Sequence, residues 1–500
     1  MADLELLVSS SSATTISADV LVVGATVKRG GPQLLAPEGF ENLANSLEAI
    51  GVTGSADQLV RIPGTGTAGS IAIIGLGSEV TSDALRTAAG SAIRQLAGSA
   101  SVALALPLND AAGLAAALEG AALGAYSFTA YKGTSLDSQK APVSTVTVLT
   151  DAVLADSEET TAAIARARVI ASAVADVKNL AATPANDLYP ESLAAAAEAS
   201  VRDLPVDITV WDEEALRRDN FGGILGVGQG SSRPPRLVKL AYSPANAARH
   251  IALVGKGITF DTGGLSLKPA ASMLGMKDDM IGAATVLAVV RAVAELGLDV
   301  RVTAWMCIAE NMPSGTAIRP GDVLTISNGT TVEVTNTDAE GRLVMADGLV
   351  AASAEQPDAI IDVATLTGAQ VVALGNRYTG VMGDETLVGQ VLDAAKGVGE
   401  TMWPMPFAEE LRSLLRSEVA DLANAKVGNR SGGMLVAGLF LREFIGKIGT
   451  DDDAPSIPWA HLDIAGPGTN GESPYGFTGT GPTGVAVRTL VRVAEEFSRP

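Results

Sequence analysis

Short apolar runs alternate with longer alanine-rich stretches along most of the chain, the pattern of strands and helices taking turns. In the first third, residues 20–23, 71–74, 102–106 and 143–149 read as buried strands, and 83–96 and 110–125 have helical length. Residues 157–180 read as one long helix. Glu158 and Glu159 suit its N-terminus, and Pro184 and Pro190 break the pattern after it. The alternation then resumes, denser in strands, over 208–211, 237–241, 251–254, 300–308, 331–335, 359–363 and 459–464. Helices are predicted over 190–202, 281–296, 343–354 and 434–444. Glycine-rich turns gather after the strand ends, where open α/β sheets bind ligands. The expected architecture is two α/β domains: a smaller one over 1–155, a linking helix over 156–184, and a larger one over 185–500 with a mixed sheet flanked by helices.

Composition narrows the function classes. The 500 residues are 47% hydrophobic and 18% charged, ample for two cores, yet no apolar run reaches membrane-spanning length without a charge or a Pro or Gly cluster. With a mean hydropathy of +0.28, this fits a protein that also buries surface in an oligomer. The start, Met1-Ala2-Asp3-Leu4-Glu5, is acidic and lacks the basic and apolar regions of a secretion signal. Cys307 is alone, so an intrachain disulfide is excluded and a cytoplasmic location is expected. The net charge of −21 speaks against nonspecific nucleic-acid binding, which needs Lys and Arg on phosphates. His250 and His461 are the whole histidine complement, so a multi-metal site must be built mainly from carboxylates, which suits Mn²⁺, Mg²⁺ or Zn²⁺. Dinucleotide, phosphate-loop, serine-nucleophile and zinc-helix motifs are all missing.

Three stretches carry candidate chemistry. In Val334-Thr335-Asn336-Thr337-Asp338-Ala339-Glu340-Gly341-Arg342-Leu343, two acids and an arginine lie two positions apart between a strand and a helix. Residues at i and i+2 share a side on extended chain but diverge on a helix, so Asp338 and Glu340 converge only if the helix starts after them. Taken alone, the stretch leaves open a helix cap or an ion site. In the second stretch, a strand ending at Val254 places Lys256 just beyond it, and Asp261 precedes a Gly-Gly turn that leads to Lys268; a hairpin with two solvated lysines is the plain alternative. In the third, Asp278 and Asp279 precede an apolar helix that they could simply cap. Together the stretches say more. Asp261, Asp279, Asp338 and Glu340 cannot share a pocket ionised unless cations neutralise them, and two divalent ions would also supply a hydroxide at neutral pH.

The motif Asn336-Thr337-Asp338-Ala339-Glu340-Gly341-Arg342-Leu343 resembles the signature of the leucyl aminopeptidase family (cytosol aminopeptidases). The likeness extends to residues 254–261, 276–280, 310–315, 186–188, 364–369 and 459–466, covering about 165–490, with Thr262 where serine is common and a glycine-richer run at 432–434. The resemblance implies a metal-dependent exopeptidase that releases N-terminal, leucine-like residues from peptides by attack of a metal-bridging water. It implies one ion on Lys256, Asp261, Asp279 and Glu340 and a second on Asp261, Asp338 and Glu340, these being Mn²⁺, Zn²⁺ or Mg²⁺. Lys268 and Arg342 are the implied catalytic residues, the first on the oxyanion and the second holding a bicarbonate. Met276, Thr365 and Gly368, with Lys268, match substrate-binding positions, and a homohexamer in the cytoplasm is expected. A DNA-binding regulator and a silent scaffold on the same fold are the competing readings; the −21 charge weighs against the first and the filled ligand positions against the second.

Overall fold

The computed structural model describes residues 4–64, 66–429, 431–449, 451 and 453–499; the acidic start Met1–Asp3 lies outside them. Two compact units divide the chain, Met1–Ala175 with Asn470–Thr480, and Asp176–Thr469 with Gly481–Pro500. Residues 470–480 were expected with the C-terminal domain. They belong to the first unit because Asp57 Oδ1 accepts from the Gly476 amide (3.0 Å) and Arg94 Nε donates to the Gly476 carbonyl (2.8 Å). No helix among the described residues is long and apolar enough to cross a membrane.

The main sheet of the first unit has seven described strands, β1 (Glu5–Ser9), β2 (Val20–Lys28), β3 (Gly31–Leu35), β4 (Leu59–Pro63), β5 (Ser70–Gly75), β6 (Ser101–Ala105) and β7 (Thr145–Leu149). They form one mixed sheet in the order β1-β7-β6-β2-β5-β4, with β3 paired to β2. The strand runs of the pattern are its centre, and the flanking β1, β3 and β4 are the ones the pattern leaves out. Its helices Ser82–Gln95 and Ala111–Gly124 open on side-chain caps from Thr81 and Asp110. A buried Arg86–Glu119 ion pair (3.0 Å) joins them.

In the second unit the strands are β8 (Val206–Trp211), β9 (Arg236–Tyr242), β10 (His250–Asp261), β11 (Arg301–Asn311), β12 (Val323–Thr325), β13 (Thr331–Glu333), β14 (Ala359–Ala364), β15 (Thr379–Gly383), β16 (Met402–Pro404), β17 (Leu422–Ala423) and β18 (Trp459–Asp463). Eight of them make a mixed sheet in the order β16-β15-β18-β14-β10-β11-β9-β8, and β12-β13-β17 make a small second sheet. The central four, β18, β14, β10 and β11, are parallel, so their C-terminal ends open on one edge, where ligands bind in such sheets. β10 is buried almost throughout and shows no alternation, as a strand covered on both faces must.

One expectation changes here. β10 does not end at Val254; it runs on to Asp261, so Lys256 is a mid-strand residue opposite Cys307 and no hairpin of solvated lysines forms. Gly255, inside the strand, serves close packing. A Cβ on Gly255 would lie 2.5 Å from the Gly282 carbonyl oxygen, so the helix Ile281–Leu296 can press directly onto the strand.

Candidate active site

The parallel edge gathers the charged residues of all three stretches. Asp261 ends β10, Asn311 ends β11, and Thr365 follows β14. The helix carrying Arg342 spans Gly341–Ala354 and begins after Glu340, whose side chain makes no cap bond. Asp278 and Asp279 do not cap the next helix either. They lie in a 3-10 turn, Met276–Met280, and Met280 takes the cap position. Freed from capping, Asp279 faces Lys256.

Two ion-pair groups result, the first buried and the second half-buried. Lys256 Nζ donates to Asp279 Oδ1 (2.8 Å) and to the Thr365 carbonyl (3.2 Å), and lies 3.0 Å from Glu340 Oε1. Lys268 Nζ lies 2.7 Å from Asp261 Oδ2 and 2.5 Å from Asp338 Oδ1. Thr365 Oγ1 donates to Asp279 Oδ1 (2.7 Å), and Asp261 Oδ1 accepts from Asn311 Nδ2 and the Gly263 amide, both at 2.8 Å. Thr262 keeps the hydroxyl that serine would supply, donating to the Asn311 carbonyl (2.8 Å). Single oxygens of Asp261, Asp338 and Glu340 all lie within 4.8 Å of one another.

The electrostatics of this cluster are unbalanced. Burial and the neighbouring Asp261 charge push Glu340 up to about 8. Burial likewise raises Asp279 to about 6 and Asp338 above the usual carboxylate range. For Lys256, burial pulls the amine down, but Asp279, Glu340 and Asp261 outweigh it and raise it. Lys268 follows the same logic, with Asp261 and Glu340 overcoming burial. Asp279 Oδ2 and Glu340 Oε2 are buried without a hydrogen-bond partner among the described residues. Four acids against two amines, with two carboxylate oxygens unpaired, is a donor set that fits divalent cations. An added cation would also lower the amine of Lys256 toward the neutral form that can ligate.

A cavity of about 570 Å³ opens on the cluster, within the range of small-ligand sites. Lys256, Asp261, Lys268, Asp279, Asp338 and Glu340 line it, as do the expected side-chain contacts Met276, Thr365 and Gly368. Arg342 does not line it. Its Nη1 donates to the Asn424 carbonyl (2.7 Å) and its guanidinium lies 5.9 Å from the Phe440 ring centre, while Nε has no partner among the described residues. Burial lowers it to about 10, so it stays charged at neutral pH.

Several residues that shape the site had no assigned role in the sequence. Asn311 and Asp463 fall inside quoted motifs but are ordinary polar residues there; Asp463 accepts from the Leu366 amide (3.2 Å) and Thr367 Oγ1 (2.7 Å), fixing the turn after Thr365. Asn424, within the apolar run Leu422-Ala423-Asn424-Ala425, gave no signal beyond being a polar residue there.

Comparison with known proteins identifies the family. Residues 176–491 match the model of the cytosol aminopeptidase family catalytic domain, and residues 22–135 match that family's N-terminal domain, which the motifs had left unassigned. The chain is 61% identical to a probable cytosol aminopeptidase of Clavibacter michiganensis subsp. michiganensis, covering 99% of each. It is 58% identical to one of Leifsonia xyli subsp. xyli, covering 98% of each. Among solved structures, the bottromycin maturation enzyme BotP in complex with Mn superposes with a TM-score of 0.84 at 36% identity, over 97% of this chain and all (100%) of that one. The chain thus belongs to the cytosol aminopeptidase family, a family of exopeptidases.

Proposed function

We propose that this chain is a two-metal leucyl aminopeptidase that releases N-terminal, preferentially leucine-like residues from peptides. One observation carries the reading: Asp261, Asp279, Asp338 and Glu340 converge in one cavity with oxygens of Asp279 and Glu340 left unpaired. Lys256, Asp261, Asp279 and Glu340 would hold one ion, and Asp261, Asp338 and Glu340 the other, with Mn²⁺ or Zn²⁺ favoured over Mg²⁺. When bound, the ions supply an activated water and an electrophilic grip on the scissile carbonyl.

The chain's own residues do the rest. Lys268, protonated and at the cavity wall, is placed to donate to the oxygen that gains charge as the carbonyl is attacked. Asp279, held by Thr365, orients the Lys256 end of the site, where the substrate's free α-amine would bind a metal. Met276, Thr365 and Gly368 receive the first side chain, whose apolar character suits the methionine. Arg342, behind the cavity wall with Nε unpartnered among the described residues, would hold a bicarbonate, the proton carrier that the resemblance implies. We expect a homohexamer from the resemblance and a cytoplasmic location, the latter in keeping with the names of the relatives and the lone, buried Cys307.

The test is metal removal and return. Chelated protein should lose hydrolysis of leucine amide and regain it with Mn²⁺ or Zn²⁺ at two ions per chain. Full turnover by metal-free protein would overturn the mechanism. A panel of aminoacyl amides then reads the side-chain preference.

A further inference from the structure

Asn424 follows β17, is fully buried, and donates its backbone amide to the Glu333 carbonyl (2.9 Å), extending the β13–β17 ladder. Its side chain turns away from that ladder onto the acid-bearing turn. Oδ1 accepts from the Thr335 amide (2.9 Å), Thr335 Oγ1 (3.2 Å) and the Asn336 amide (3.3 Å). Nδ2 donates to the carbonyls of Asn336 (2.7 Å) and Ala339 (3.3 Å). The Asn424 carbonyl in turn receives Arg342 Nη1 (2.7 Å). The primary amide thus spans the turn from Thr335 to Ala339, across Asp338, and the backbone carbonyl of the same residue carries the contact past Glu340 to Arg342 in the first turn of the helix. Residues 335–339 have left the strand and not yet entered the helix, so their backbone groups need other partners. An amide side chain offers both an acceptor and two donors, which is what such a turn requires.

We infer that Asn424 is a positioning residue that sets where the Asp338 and Glu340 carboxylates stand relative to Lys268 and Lys256. It acts through the backbone of Asn336 and Ala339, which bracket Asp338, and through Arg342. Its consequence for catalysis rests on the metallo-aminopeptidase reading; the clamp on the turn does not.

Full-length Asn424→Asp and Asn424→Ala are compared with the parent protein. Aspartate keeps the shape and the Oδ1 acceptor but turns a lone pair toward two carbonyls in place of the amide hydrogens. Both variants should stay folded by circular dichroism and exchange the amides of residues 335–342 faster in hydrogen–deuterium exchange. Titration with Mn²⁺ alone should show affinity lower by about ten- to a hundredfold, the usual scale for a residue that orients metal ligands. With leucine p-nitroanilide, kcat should fall while KM changes far less. Parent-like exchange over 335–342 together with parent-like Mn²⁺ affinity in a folded variant would overturn the inference. If neither variant folds, Asn424→Ser, which keeps an acceptor but not the reach to Ala339, carries the same readouts. A parent protein that neither binds Mn²⁺ nor cleaves the substrate would sink the metallo-aminopeptidase reading, and the exchange measurement would still decide the clamp.

Discussion

Gly341 stands so close to Lys256 that a Cβ on it would lie 2.4 Å from Lys256 Cε and 2.7 Å from Nζ. The glycine therefore makes room for the amine that joins Asp279 and Glu340. Alanine at this first helical position should otherwise be welcome, because it forms helix better than glycine. Gly341→Ala is accordingly expected to fold normally and to lose activity by about a hundredfold, the scale for shifting a reacting group by about 1 Å. Steady-state hydrolysis of leucine p-nitroanilide by the metal-loaded variant checks this. Parent-like turnover would mean the lysine can move aside without harm.

Glu340 is 1% exposed and has one oxygen on Lys256 and one without a partner. Glu340→Gln preserves its size but removes the charge that a bridging ligand needs. We expect hydrolysis to be abolished and metal content to drop, measured by elemental analysis on the same sample. Full metal content with unchanged turnover would rule out a bridging role.

Lys268 is the amine nearest both Asp261 and Asp338, at 2.7 and 2.5 Å. Removing it should leave a folded, metal-loaded protein whose turnover is lower by at least about a hundredfold, the cost of losing an oxyanion donor. Near-normal kcat for Lys268→Ala would contradict that role.

His250 gives a pH prediction away from the cavity. Burial lowers it from 6.5 to about 4, assisted by Arg301 and Lys239 and opposed by Glu355 and Asp358. Its Nε2 meets Thr303 Oγ1 at 3.0 Å. Because the folded value is the lower one, the unfolded chain binds the extra proton as pH falls. Its contribution is thus complete above about 6.5 and lost toward about 4. Chelated parent protein should lose more thermal stability between pH 7 and pH 5 than His250→Gln does. Equal losses would exclude His250 as the titrating group.

What was legible in the chain followed from local rules. Strand and helix alternation gave the α/β class, and the i, i+2 spacing of Asp338 and Glu340 required a helix starting after them, as the helix Gly341–Ala354 does. Helix Ile281–Leu296 was readable to its ends because its apolar period is uninterrupted. β15 and the helix Glu385–Val398 were missed; β15 has glycines within and at the end of Thr379–Gly383, which hides the strand pattern.

The sequence by itself therefore determined the element types, the lone cysteine, the scarcity of histidine and the set of acids and lysines available for chemistry. Tertiary structure alone decided the pairings: Lys256 with Asp279 across 23 residues, Lys268 with Asp261 and Asp338, Arg342 turned to Asn424, and Asn424 across the acid-bearing turn. The reason is physical. Periodicity reports which face of an element is buried, but strand order brings together residues that no local pattern relates, and a buried asparagine is indistinguishable in sequence from an exposed one.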